Sequence, residues 1–164
     1  MSSNLDINTK KGQVSLSDER LVAKWVEQKF DVSYIETPKD SPATVDAIIL
    51  KKNNTIQAVI ETKCRYNLTL EEFNSKFSCE WLVTWEKIRG AIKISSGLGV
   101  PCVGFLYLVE PKILLVKKLA FSDGRLSSDI RLSTTETQAT INGGLAHRTN
   151  AFILMRDAKV YKLD

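Results

Sequence analysis

Val45-Asp46-Ala47-Ile48-Ile49-Leu50, followed by Lys51-Lys52-Asn53-Asn54-Thr55 and then by Ile56-Gln57-Ala58-Val59-Ile60-Glu61-Thr62-Lys63, reads as two strands joined by a tight turn. Short apolar runs interrupted by a polar segment mark a hairpin, and an Asn pair tolerates the positive φ that a tight connection needs. With the hairpin centred between Asn53 and Asn54, Asp46 falls opposite Glu61. Residues two apart on a strand share a face, so Glu61 and Lys63 point one way and Thr62 the other. Two acids and an ammonium at the ends of apolar strands are costly to bury uncompensated, and a bound divalent cation would offset that cost. Hard oxygen ligands of this kind suit magnesium or manganese.

On the N-terminal side, Leu21, Val22, Trp25, Val26 and Phe30 recur at helical spacing. Ser17 as N-cap, with Asp18 and Glu19 in the first turn, predicts a helix over 18–30. The polar residues 1–14 read as a loosely held arm. Pro38 and Pro42 enclose a loop that stops the helix and delivers the chain into the hairpin.

Beyond the hairpin, Thr69 and Glu72 have the spacing of a capping box, which predicts a short helix from about Leu70. Trp81, Trp85, Ile88 and Ile92 then read as the stripe of a longer helix closed by Gly97 and Gly99. Cys102–Val109 is a continuous apolar run, expected of a strand buried on both faces, and Lys112–Leu119 reads as the next strand. Strand, helix, buried strand is a right-handed βαβ crossover, so Ile56–Thr62 and Cys102–Val109 should be parallel and the sheet mixed. After Phe121 the chain is richer in Ser and Thr; Asn142-Gly143-Gly144 marks a turn and Ala151–Met155 a short apolar run, which predicts two or three C-terminal strands.

The expected class is therefore α/β, a mixed β-sheet flanked by helices with extra C-terminal strands. A chain of 164 residues with 43% hydrophobic content suits one domain, with its core over about 17–119 and a β extension over 120–164. Net charge is +4, which permits a polyanionic partner. Three widely spaced cysteines, Cys64, Cys79 and Cys102, fit reduced thiols better than a disulfide framework or a zinc site. The lack of a signal-like or membrane-spanning apolar run points to a cytoplasmic protein.

The pattern of an acid at Asp46, a variable gap, and acid-x-Lys at Glu61-Thr62-Lys63 resembles the PD-(D/E)XK nuclease superfamily, and the element order over roughly 17–119 resembles that superfamily's core. Val45 stands where the superfamily's name has proline, and Thr62 where an aliphatic residue is usual. The resemblance implies a restriction-endonuclease-like fold and a magnesium- or manganese-dependent endonuclease hydrolysing phosphodiester bonds of nucleic acid, with DNA as the expected partner. It assigns Asp46, Glu61 and the Thr62 carbonyl as metal ligands and Lys63 as the cation beside the attacking water. Glu19, in Asp18-Glu19-Arg20-Leu21, resembles the first-helix acid of archaeal Holliday-junction resolvases and would join the metal site and catalysis, with Glu27 as the runner-up. Lys87 stands where such families place a helical Lys or Gln facing the site. Many such nucleases act as homodimers.

The remaining residues carry plainer readings. Trp81 and Trp85 are core anchors, His147 a loop residue, and Gly143-Gly144 a turn. Arg65 and the Lys51-Lys52 pair flank the acids and could touch phosphates. Two other functions stay open at this point: a nuclease-fold module that binds nucleic acid without cutting it, and a structural or assembly subunit.

Overall fold

In the computed structural model, the described residues are 9–40, 43–127, 129–136, 144–145 and 147–164. They form a six-stranded mixed sheet with helices on its faces and a second, three-stranded sheet. The first helix, α1 (Lys10–Phe30), starts well before the expected residue 18: Thr9 is its N-cap, with its side chain accepting from the Gly12 N–H at 2.9 Å. Ser17 and Glu19 therefore lie mid-helix, and the expected arm is helical from Lys10 onward. Only Gly12 and Leu16 are buried in that first part, so no apolar stripe announced it. Asp31, at φ 55°, ends the helix.

A short strand that the sequence did not announce, β1 (Ser33–Glu36), precedes β2 (Ala47–Leu50) and β3 (Ile56–Arg65). The β2–β3 register is symmetric about Asn53 and Asn54, with Ala47 on Ile60, Ile48 on Val59 and Ile49 on Ala58, before it slips at Leu50–Ile56. Asn54 adopts φ 61° in the turn. Next come α2 (Leu70–Lys76), which carries the expected Thr69–Glu72 capping box, and β4 (Glu80–Thr84). The long helix, α3 (Trp85–Gly97), begins only at Trp85, and Trp81 lies on β4 instead. A four-residue spacing of two tryptophans suits a helix, but here a strand and a helix meet between them. Both nevertheless serve the core, Trp81 at 1% exposure and Trp85 packed against the same cluster.

The chain continues as β5 (Cys102–Leu108), β6 (Ile113–Ala120), β7 (Ile130–Glu136), β8 (His147–Leu154) and β9 (Lys159–Lys162). The main sheet runs β1-β2-β3-β5-β6-β9, with β3 and β5 parallel as the crossover requires. The second sheet runs β4-β8-β7. The C-terminal strands thus go to two places: β9 extends the main sheet, while β7 and β8 join β4. His147 is the exposed first residue of β8 and not a loop residue. Of the expected turn, Asn142 and Gly143 lie outside the described residues.

Both faces of the main sheet are covered, which explains the unbroken apolar run of β5. One cluster, under α1, joins Val22 and Val26 to Ala47, Ile49, Ile60 and Phe105. The other joins Ile88 and Ile92 of α3 and Trp81, Ala151 and Ile153 of the second sheet to Val59, Leu106 and Leu115. Each large apolar side chain fully buried there stabilises the fold by about 1.5–3 kcal/mol. Lys117 of β6, 5% exposed, ties the two sheets together. Its ammonium donates to Asp129 Oδ2 at 3.0 Å, to the Leu154 carbonyl at 2.7 Å and to Asp157 Oδ1 at 2.6 Å.

Gly104 sits on β5 directly beside Glu61. A Cβ there would lie 2.6 Å from the Trp81 ring and 3.1 Å from both Leu119 methyls. Gly104→Ala is therefore expected to cost about 1–3 kcal/mol by overpacking. Chemical denaturation reads this directly, and an unchanged midpoint would mean that the Trp81 ring moves aside freely.

Candidate active site

The β2–β3 ladder ends one step before the acids. Beyond Ala47 the chain bends, and the Asp46 N–H still reaches the Ile60 carbonyl at 3.2 Å. The Asp46 carboxylate takes over the role of the missing strand, with Oδ2 accepting from the Thr62 N–H at 2.8 Å. In an extended strand the N–H and C=O of one residue point to the same side, so the Thr62 carbonyl also faces the edge where Asp46 stands. Gly90 of α3 has no side chain where the Thr44 methyl passes, since a Cβ would lie 2.6 Å from it, so the approach to Asp46 runs close over the helix.

Glu61 is 2% exposed, and its carboxylate is shared with Lys87: Lys87 Nζ lies 2.9 Å from Glu61 Oε1 and 3.4 Å from Asp46 Oδ1. Glu61 Oε2 is buried with no hydrogen-bond partner among the described residues. Burial, and then the neighbouring charge of Asp46, push the Glu61 carboxyl up to about 8 despite the ammonium beside it. Lys87 holds its proton tightly: burial opposes its charge, but Glu61 and Asp46 outweigh that and raise its pKa.

Glu19, on the second turn of α1 past Gly12, reaches the same place from the other face of the sheet. Burial and Asp46 raise its pKa, against Lys39, Lys87 and Lys63. Lys39 bridges the two acids loosely, at 4.0 Å from Glu19 Oε2 and 3.8 Å from Asp46 Oδ1. Lys63 follows Glu61 by two residues on β3 and is exposed. Tyr34 of β1 packs behind the site, its hydroxyl 3.1 Å from Thr62 Oγ1; burial foremost raises its pKa, so the phenol stays neutral.

The fold thus gathers Asp46, Glu61, Thr62, Lys63, Lys87 and Glu19 at one end of β3. It does not bring Glu27 there: that carboxylate accepts the Tyr34 N–H at 2.8 Å and anchors β1. Nor do Lys51 and Lys52 flank the acids, because they lie at the hairpin tip, the opposite end of β2, where Lys52 pairs with Asp31 at 2.7 Å. Lys39 and Tyr34 were missed by sequence reasoning. The signal for Lys39 was its place in the Pro-bounded loop leading to Asp46, and for Tyr34 there was none beyond an unassigned strand.

Among the described residues, no group of three or more His, Cys, Asp or Glu side chains is arranged as a metal cage. The donors on offer are two carboxylates, the Thr62 carbonyl and, further out, Glu19. They fit a hard cation on one observation: a nearly inaccessible carboxylate oxygen, Glu61 Oε2, has no donor. Lys87 already supplies one positive charge to this pair and leaves that oxygen unmet. No protein-family model matches the chain, and no curated protein matches it.

Proposed function

We propose that the chain is a metal-dependent nuclease that hydrolyses DNA phosphodiester bonds on a restriction-endonuclease-like core. The observation that carries the reading is the pair of carboxylates Asp46 and Glu61 meeting at the end of β2 and β3, one of them buried with an oxygen unmet. Asp46, Glu61, the Thr62 carbonyl and Glu19 would hold magnesium or manganese. When bound, such an ion polarises a phosphodiester and lowers the pKa of a water. Lys63, exposed beside the pair, orients the attacking water and neutralises charge that develops on phosphate. Lys87, 43% exposed at its side chain, keeps the acid pair from repelling itself and lies within reach of a substrate phosphate. Tyr34 holds Thr62 in place through its hydroxyl. Even with Asp46, Glu61 and Glu19 all ionised around a bound cation, Lys39, Lys63 and Lys87 balance their charge, so an anionic backbone meets a site that is not repulsive.

The test is incubation with labelled duplex, single-stranded and four-way-junction DNA in magnesium, manganese or EDTA, beside Asp46→Ala. Cleavage that requires metal and is lost in the variant is the expected result. The ammonium of Lys87 lying between both acids favours a second reading, a module of the same fold that binds nucleic acid without cutting. Binding without cleavage, equal in wild type and Asp46→Ala, would move the conclusion there.

A further inference from the structure

Asp46 Oδ1 faces two ammonium groups at once. Its sister oxygen, Oδ2, is taken by the Thr62 N–H, so Oδ1 is the oxygen left for ion pairing. Lys87 Nζ stands 3.4 Å from it and Lys39 Nζ 3.8 Å from it. The two lysines are held differently. Lys87 belongs to α3 and also reaches Glu61 Oε1 at 2.9 Å, a full hydrogen-bond distance. Lys39 comes from the loop between β1 and β2, and its two contacts, 3.8 Å to Asp46 and 4.0 Å to Glu19 Oε2, are both too long for hydrogen bonds.

That loose placement has a cost. The Lys39 side chain is only 21% exposed, so it gives up rotamer freedom and hydration for two ion pairs without a direct bond. Nor does the backbone require it. The neck of the loop is closed by Thr37, whose N–H donates to the Asp46 carbonyl at 3.0 Å and whose hydroxyl donates to the Val45 carbonyl at 2.7 Å. The side chain of Lys39 can therefore swing away while Asp46 stays where it is. What the placement achieves is a positive charge between two carboxylates from different elements, Glu19 of α1 and Asp46 ahead of β2, whose own charges oppose each other.

These are two of the acids assigned above to the metal ion. We propose that Lys39 is a built-in competitor of that ion: its ammonium neutralises Glu19 and Asp46 until a cation displaces it, and the displaced ammonium is taken up by a substrate phosphate. Lys87, bonded to Glu61, stays in place. This rests on the nuclease reading and deepens it, because it makes cation loading depend on substrate. A phosphate that accepts Lys39 raises the affinity for the cation, and by linkage the cation raises the affinity for the phosphate by the same factor.

The experiment measures cation binding apart from cleavage. Titration of the full chain with Mn2+, without DNA, is followed by the electron paramagnetic resonance signal of the free ion. Lys39→Met keeps an apolar stem and removes the charge, and is expected to bind Mn2+ about tenfold more tightly than wild type. Lys39→Arg keeps the charge and should stay within about twofold of wild type. Single-turnover cleavage of the preferred DNA, with the DNA saturated by protein, then gives the Mn2+ concentration at half-maximal rate. In wild type this should lie about tenfold below the dissociation constant of the DNA-free chain, and in Lys39→Met the two should agree. A structural lysine would leave Mn2+ binding unchanged or weaken it when replaced, and either result in Lys39→Met would overturn the competition. Agreement of the two Mn2+ values in wild type would overturn the coupling to substrate; that comparison needs no variant, so it holds even if Lys39→Met unfolds. Both failures would leave metal-dependent cleavage by the wild type standing. A wild type that binds no Mn2+ would remove the cation site, and the nuclease reading with it.

Discussion

Lys63→Ala is expected to reduce cleavage by roughly a thousandfold or more while leaving the unfolding transition in place. The side chain is exposed at the end of β3 and belongs to neither core cluster, so its removal should change stability by no more than about 0.5 kcal/mol. Its charge, by contrast, stands two residues from Glu61 on the same side of the strand, where the proposed reaction would develop charge on a phosphate. Removing one such preorganised group typically costs about a hundred- to a thousandfold in rate, and in the proposed mechanism the same group would also orient the water. Single-turnover cleavage beside a thermal melt separates the two effects. Full activity in the variant would sink the role given to Lys63, and a lowered melting point would assign it to the fold.

Glu61→Gln, unlike Lys63→Ala, is expected to raise stability at neutral and alkaline pH. The folded-state pKa of Glu61 is raised from the ordinary 4.5 to about 8, so the native chain binds this proton more tightly than the unfolded chain does. Below 4.5 both states hold the proton and pH has no effect through this group. As pH rises from 4.5 to about 8 the unfolded state alone releases it, and the native state loses stability. Lys87 stays protonated across that window, its pKa being raised above the usual 10.5, so it adds no opposing slope. Glutamine has no proton to lose. In EDTA the variant should hold its stability where the wild type falls, with a gap on the order of a few kcal/mol above pH ~8. Magnesium should then stabilise the wild type and not the variant, and cleavage should vanish. Parallel pH curves for the two proteins would show that Glu61 ionises in the fold without penalty, and the case for an unmet oxygen would go with it.

The hairpin and the acid pair were legible because they rest on local, strictly periodic rules. Alternation along β2 and β3 and the Asn53-Asn54 turn determined the register from Ala47 to Ala58 without reference to any other part of the chain. The parallel β3–β5 pairing followed from connection geometry. What escaped was whatever depends on distant partners. The first turns of α1 carry little apolar signal, because they stand clear of the core. Trp81 was read as helical because four-residue spacing is equally compatible with a strand running into a helix; only β8, far along the chain, makes residues 80–84 a strand. Lys39 had only its place in the Pro-bounded loop to mark it, since its role arises from that loop folding back onto Glu19 and Asp46.

The partner of β4 also sets an order of events in making the protein. Strand β4 lies between the two halves of the β3–β5 crossover, runs straight into α3 and, among the described residues, has β8 as its one strand partner. On a ribosome, Asp46 and Glu61 would emerge and pair early, but β8 would emerge only after α3, β5, β6 and β7. Until it docks, the strand that leads into the Lys87 helix lacks its ladder, and Trp81 lacks half of its cover. The nascent chain would therefore carry its acids before the cation that neutralises them is secured. A shortened chain ending at residue 120 should retain the hairpin and lose the placement of Lys87.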